Sequence, residues 1–228
     1  MNKDKTRIII GGGASGLVCA IVSAQNYDVT IIETSARVGK KLSQTGNGRC
    51  NILNARLDGS VYSNQKLYEI ISSHCPLGKT IDFLASCGIE LSPPDEQGRI
   101  YPMTENASTV VDCLRYFCSS LGVKILCDTT AVRLISKDNL YYVTLSNGEI
   151  LCADSVVLAC GSGSSATMPK LDYLIDNRML TPTSPSLTPI KLVSPYKILN
   201  GLRAKVNVIL NKDGAPIAIE KGEILFKE

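Results

Sequence analysis

The chain has 228 residues, 44% of them apolar, with three phenylalanines and no tryptophan, enough for a buried core built on Ile, Leu, Val and Ala. Its formal net charge is +3, with Lys and Arg interleaved among Asp and Glu, and no basic block or aromatic–basic interleaving supports a nucleic-acid partner. Nine cysteines without a CxxC pair fit free thiols in a reducing compartment and exclude a disulfide framework.

The first element is an apolar, β-branched run at residues 8–10, which meets Gly11-x-Gly13-x-x-Gly16. A small-residue helix starts near Ala14, a second strand covers residues 29–32, and Glu33 closes it. That order is the one a dinucleotide-binding βαβ unit requires. Gly11 lets the chain turn off the strand, Gly13 lets backbone approach a pyrophosphate, and Gly16 lets the helix lie close to the sheet. The helix start, with Ala14 and Ser15, points free N–H groups at the phosphates. An acid at position 33 accepts from a ribose diol and favours FAD or NAD over NADP. Residues 8–24 are uncharged after Lys3, Lys5 and Arg7, as in a signal peptide, but three consecutive glycines argue against one continuous apolar helix. With no other stretch of membrane-spanning length, the expected location is the cytoplasm.

Residues 34–54 form a polar, glycine-rich connection carrying Arg37, Lys40, Lys41 and Arg49. Connections of that length are more often functional than idle. Residues 62–90 are expected to be helical, with apolar positions at Leu67, Ile70, Ile71 and then Ile81, Phe83 and Leu84, ending at Gly88. The only histidine, His74, has no second ligand at metal spacing and is expected at a surface or helix end. Residues 92–102 are turn-rich and end in a short strand, and residues 107–121 form an amphipathic helix. Cys113 and Cys118 have the spacing of a flavin-linked redox pair, yet on a helix i and i+5 diverge, so no such pair is expected.

The period then changes from helical to alternating. Residues 123–127 form a short strand, and 131–135, 140–145 and 150–153 form a meander turning at 137–139 and at Asn147-Gly148. Residues 155–161 are a fully apolar strand, followed by Gly161-Ser162-Gly163. Pro182, Pro185, Pro189 and Pro195 mark a boundary. Beyond it, residues 205–210 and 216–219 read as a hairpin around 211–214, with a separate apolar run at 224–226. The expected architecture is α/β: a Rossmann-like parallel sheet with an antiparallel meander over 1–190, then the start of a β-rich second domain over 191–228.

Five segments occur in fixed order: GGGASG, GKKLSQTGNGRCNILN, GRIYPMTENASTVVDCL, VVLACG, and PTSPSLTPIKL followed by GLR and GEILF. In this the chain resembles the HI0933-like family of flavoproteins, FAD-dependent oxidoreductases of the glutathione-reductase-like class. The resemblance implies non-covalent FAD, with Gly11, Gly13, Ala14, Ser15 and Gly16 around the pyrophosphate and Glu33 on the adenosine ribose. It places Lys41, Gly48, Arg49, Cys50 and Asn51 toward the flavin, Val132 near the adenine, and Ala159, Cys160 and Gly161 on the second side. Arg49 and Cys50 are the candidates for a direct part in the chemistry, a hydride transfer between a small organic substrate and flavin N5, with NAD(P)H as a possible electron donor. Family activities include amine or aminoketone oxidation and reduction of conjugated double bonds in steroid-like substrates. Two departures stand out: the family continues past GEILF, and Asn177-Arg178 replaces an expected Gly-His pair. They open an alternative, an inactive nucleotide-binding remnant that works with a partner chain. An NAD-dependent dehydrogenase, lacking a tyrosine–lysine pair, ranks third.

Overall fold

The computed structural model describes residues 4–161 and 196–226. The chain divides into two compact units, Met1–Pro182 and Thr183–Glu228.

In the first unit, β1 (Thr6–Ile10), α1 (Ala14–Ser23) and β2 (Asp28–Ile32) form the opening βαβ unit. β5 (Lys124–Leu126) and β9 (Ser155–Leu158) complete a parallel sheet of order β5-β2-β1-β9. Strand β1 therefore sits between its own crossover partner β2 and the much later β9, and the chain leaves it toward opposite sides. Ligands of open parallel sheets bind at such a switch point, outside the carboxyl ends of the strands.

Both sheet faces are covered, which is why Ile8 to Ile10 and Ile31 with Ile32 are consecutive buried apolar residues instead of alternating ones. On one face Ile9, Val29 and Ile31 pack with Leu17, Ala20 and Ile21 of α1 and with Ala107, Val110, Leu114 and Cys118 of α4 (Ala107–Ser120). On the other, Ile8, Ile10 and Ile32 meet Ala131, Val143, Leu145 and Ala153. Those four residues belong to the antiparallel meander β6 (Ala131–Lys137), β7 (Leu140–Leu145) and β8 (Ile150–Ala153). Asp138 and Asn139, both at positive φ, make the two-residue turn from β6 to β7 that right-handed strand twist favours.

The helical stretch over 62–90 resolves into two helices broken at Pro76: α2 (Gln65–His74), capped by the Asn64 side chain, and α3 (Leu77–Ser86). The fixed φ and missing N–H of Pro76 suit a helix start but not a helix interior. Gly88 follows α3 at φ 79, as a helix stop requires. His74 is the last residue of α2, with Nδ1 2.8 Å from the Ile70 carbonyl. One feature is absent from the sequence reading: β3 (Leu53–Asn54) pairs with β4 (Arg99–Ile100), tying the glycine-rich connection to the turn-rich segment.

In the second unit β10 (Arg203–Lys212) and β11 (Ala215–Leu225) form a hairpin through Asp213-Gly214, both at positive φ. The apolar run at 224–226 is not a separate strand. Leu225 pairs with Arg203 and Ile224 with Ala204, so β11 runs unbroken from the turn. The two-residue turn starts the ladder, its register shifts once between Leu210 and Asn211, and the residues from Glu220 to Glu223 stay in it. Ser162, Gly163, the four prolines and Asn177-Arg178 lie outside the described residues. Among the described residues no helix is long and apolar enough to cross a membrane.

Candidate functional site

At the carboxyl end of β1 the three motif glycines do three different things. Gly11 has φ 109, and a Cβ there would lie 2.4 Å from the Ala159 carbonyl oxygen just after β9. A Cβ on Gly16 would fall 1.9 Å from the Gly11 carbonyl oxygen, so α1 seats directly on the turn. A Cβ on Gly13 would meet nothing within 4 Å. Gly13 is therefore bare toward open space, while Gly11 and Gly16 are required by contact.

The N-terminus of α1 opens onto that space. Gly13 is its N-cap without a side-chain cap, and the first helical bond runs from the Leu17 N–H to the Gly13 carbonyl. The amides of Ala14, Ser15 and Gly16 are left as the orphan donors of a helix start, and Ala14 and Ser15 are exposed. Such a terminus favours anions through its donors and its dipole. Beside it, Glu33 accepts from the Gly12 N–H at Oε2 and the Ser35 N–H at Oε1, each at 2.7 Å. One donor per oxygen fixes the carboxylate and leaves it capacity to accept more, which a ribose diol supplies. The residues fit the diphosphate and ribose of a dinucleotide.

The polar connection supplies the second half. Gly39 donates to the Gly12 carbonyl at 2.8 Å and adopts φ 72 against Val111 of α4. Lys41 follows, its Nζ 3.9 Å from where a Cβ on Gly161 would stand, so the loop and the end of β9 share one rim. Beyond the broken 3₁₀ turn Leu42–Gly48, left-handed backbone recurs at Gly46, Asn47, Gly48 and Cys50. Cys50 is buried, and burial pushes its thiol up, offset in part by a hydrogen bond with Thr45. Asn51 is exposed, and Ile52 joins the Ile100 carbonyl at 3.0 Å, where the β3–β4 ladder begins.

That ladder delivers residues the sequence reading did not single out. The Arg49 guanidinium lies over the ring of buried Tyr101, 4.8 Å from its centroid, and 3.9 Å from the Glu105 carboxylate. The only signal in the sequence was that Tyr101 and Glu105 fall inside the GRIYPMTEN block.

The remaining predicted residues divide between two ends. Val132 is exposed at the start of β6, two residues after Thr130, whose hydroxyl donates to that of Thr34 at 3.3 Å. This sets it on the Glu33 side, with Arg49 and Cys50 on the connection that runs past Lys41. Ala159 touches the Gly11 turn through its backbone. The Cys160 thiol is buried and donates to the Ile10 carbonyl at 3.4 Å, a core contact, and burial raises it. Cys113 and Cys118 point to different carbonyls, Gly88 and Leu17, as the helix spacing requires. No group of three or more His, Cys, Asp or Glu side chains among the described residues is placed to hold a metal.

Residues 5–171 match the family described as HI0933-like protein Rossmann domain. The 3-dehydro-bile acid delta(4,6)-reductase of Clostridium scindens is 33% identical, over 95% of this chain and 55% of that protein. The ribosomal RNA dihydrouridine synthase of Haemophilus influenzae is 27% identical, over 89% of this chain and 53% of its own length. The chain spans about half the length of these curated relatives. The solved glycine oxidase of Geobacillus kaustophilus superimposes with a TM-score of 0.48 at 15% identity, covering 69% of this chain and 55% of that one. With the family match extending from β1 through β9, this chain belongs to the HI0933-like family by its Rossmann domain.

Proposed function

We propose that this chain binds FAD non-covalently and serves a flavoprotein oxidoreductase that reduces a carbon–carbon double bond conjugated to a carbonyl in a small organic substrate. The observation that carries the cofactor reading is the open space at Gly13, faced by the orphan amides of α1 and flanked by the anchored Glu33 carboxylate. The reaction class is supported by the names of the two relatives. A delta(4,6)-reductase and a dihydrouridine synthase both saturate a ring double bond, which calls for a hydride donor and a group that withdraws charge.

Bound FAD supplies the hydride chemistry at N5. The α1 amides hold the pyrophosphate, and Glu33 accepts from the adenosine ribose. Lys41 adds a cation on the rim it shares with Gly161, and Val132 lines the adenine side. Gly48 and Asn51 bracket Arg49, whose fixed guanidinium opposes negative charge that develops as the double bond is reduced. The Cys50 thiol, raised by burial, stays protonated at neutral pH and is no nucleophile there. NAD(P)H is the proposed electron donor.

The test is the visible absorption spectrum of the purified protein, with identification of the cofactor released on denaturation. The expected result is a flavin spectrum and released FAD, followed by reoxidation of the reduced protein by a conjugated enone. A folded, colourless protein that rejects added FAD overturns the proposal and leaves the inactive remnant. NADH oxidation that proceeds with the enone present and not with uridine in its place identifies the substrate class.

A further inference from the structure

The two loops that meet at Arg49 both carry backbone that their side chains do not favour. Residues 46–50 include Cys50 at φ 60, and the turn ahead of α4 includes Glu105 at φ 46. Left-handed backbone is ordinary for Gly and Asn but strained for Glu. The turn itself asks only for the conformation: the Glu105 N–H bonds the Pro102 carbonyl at 2.8 Å, and Asn106 then caps α4. Glycine or asparagine would satisfy it without strain. What glutamate adds is a carboxylate, and that carboxylate reaches the Arg49 guanidinium at 3.9 Å. The Tyr101 ring, nearly buried, bounds the guanidinium from a second direction. An ion pair between a partly buried arginine and an exposed glutamate contributes little by itself, so stability alone is a poor reason to keep a strained residue there.

We infer that Glu105 is a positioning residue, whose carboxylate, together with the Tyr101 ring, fixes the Arg49 guanidinium at the flavin end of the site. What Arg49 then does there rests on the flavin reading above; the tie between Glu105 and Arg49 does not.

The experiment compares Glu105→Gln and Glu105→Asn with the unaltered chain. The first removes the charge, and the second also relaxes the backbone, so it keeps the fold if the first does not. Limited trypsin digestion, followed by mass spectrometry, reads cleavage after Arg49 against cleavage after Lys40 and Lys41 in the same connection. Both variants are expected to raise the Arg49 cleavage rate about two- to fivefold relative to the lysine sites, the range a partly exposed ion pair covers. The midpoint potential of the flavin-loaded protein is expected to move to more negative values in both, because a displaced cation no longer favours the reduced, anionic flavin. Unchanged cleavage in both variants overturns the inference. Faster cleavage with an unmoved potential also overturns it, leaving a structural tie only. A protein that takes up no flavin fails the functional reading instead, and the cleavage ratio still decides the tie.

Discussion

Replacing Gly13 with valine separates what the glycine loop does for the fold from what it does for a ligand. Gly13 has φ −75 and ψ −169, extended backbone that valine adopts without strain, and its Cβ would enter open space. The remaining cost to the fold is the poorer N-cap, about 1 kcal/mol, or about 2–4 °C in melting temperature for a chain of this size. The cost to a bound diphosphate is larger. A side chain over Gly13 denies the phosphate the amides of the first turn, and each hydrogen bond from such a donor to a charged acceptor is worth about 1.5–3 kcal/mol. Losing two of them weakens FAD binding about 10²- to 10⁴-fold. Circular dichroism melting without flavin reads the first quantity, and titration of FAD fluorescence reads the second. A variant that melts like the unaltered chain and binds FAD equally well would refute the assignment of the glycine loop. One that cannot fold would refute the claim that the space above Gly13 is open.

Gly16→Ala should behave in the opposite way, since its Cβ would lie 1.9 Å from the Gly11 carbonyl; a loss of about 1–3 kcal/mol or more is expected, visible as a lower melting temperature even without flavin. Thiol labelling with iodoacetamide at pH 8 should modify the exposed Cys75 and Cys152 first, while Cys118, buried and pushed up to about 11, reacts only on unfolding; peptide mass mapping over time checks the order. Asp154 accepts from the Thr6 N–H and hydroxyl, both at 2.7 Å, which holds its carboxyl below the ordinary value of 3.8. Its stabilisation is present above that value and lost as pH falls through the lower folded value, so Asp154→Asn should melt with a smaller drop between pH 6 and the acid range below 3.8 than the unaltered chain.

Most of the framework was legible because local signals and tertiary demands agree. The β1–α1–β2 opening is announced by glycine spacing, and the meander by alternation with turns that its Asp, Asn and Gly residues favour. The missed strand pair shows the limit. β3 and β4 are two residues each, too short to carry a period, and they pair across more than forty positions of chain. Read without that pairing, the connection after Glu33 is only a polar loop, with no sequence signal that Tyr101 and Glu105 approach Arg49. The split reading of β11 has a different cause. Both faces of this ribbon are largely exposed, so burial imposes no alternation on 220–223, and the register comes from the turn and the shift at Leu210 and Asn211.

The positive-φ residues other than glycine sort by what excuses them. Asp138, Asn139 and Asp213 sit in tight hairpin turns, where short polar side chains tolerate left-handed backbone. Asp128, just past the carboxyl end of β5, has the same excuse and donates its N–H to the Ser35 carbonyl. Cys50 and Glu105 have none, and each left-handed position of that kind costs about 1–2 kcal/mol. Both lie on the segments that β3 and β4 tie together: Cys50 is buried there with its N–H on the Thr45 carbonyl, and Glu105 is tied to Arg49. The tertiary contacts thus impose a conformation that the local sequence disfavours, at the same end of the site as Arg49. Relieving the strain at Glu105 by a glycine or asparagine should loosen Arg49 before it loosens the sheet, because Glu105 stands outside the core that β1, β2 and the helices share, whereas buried Cys50 is part of that core.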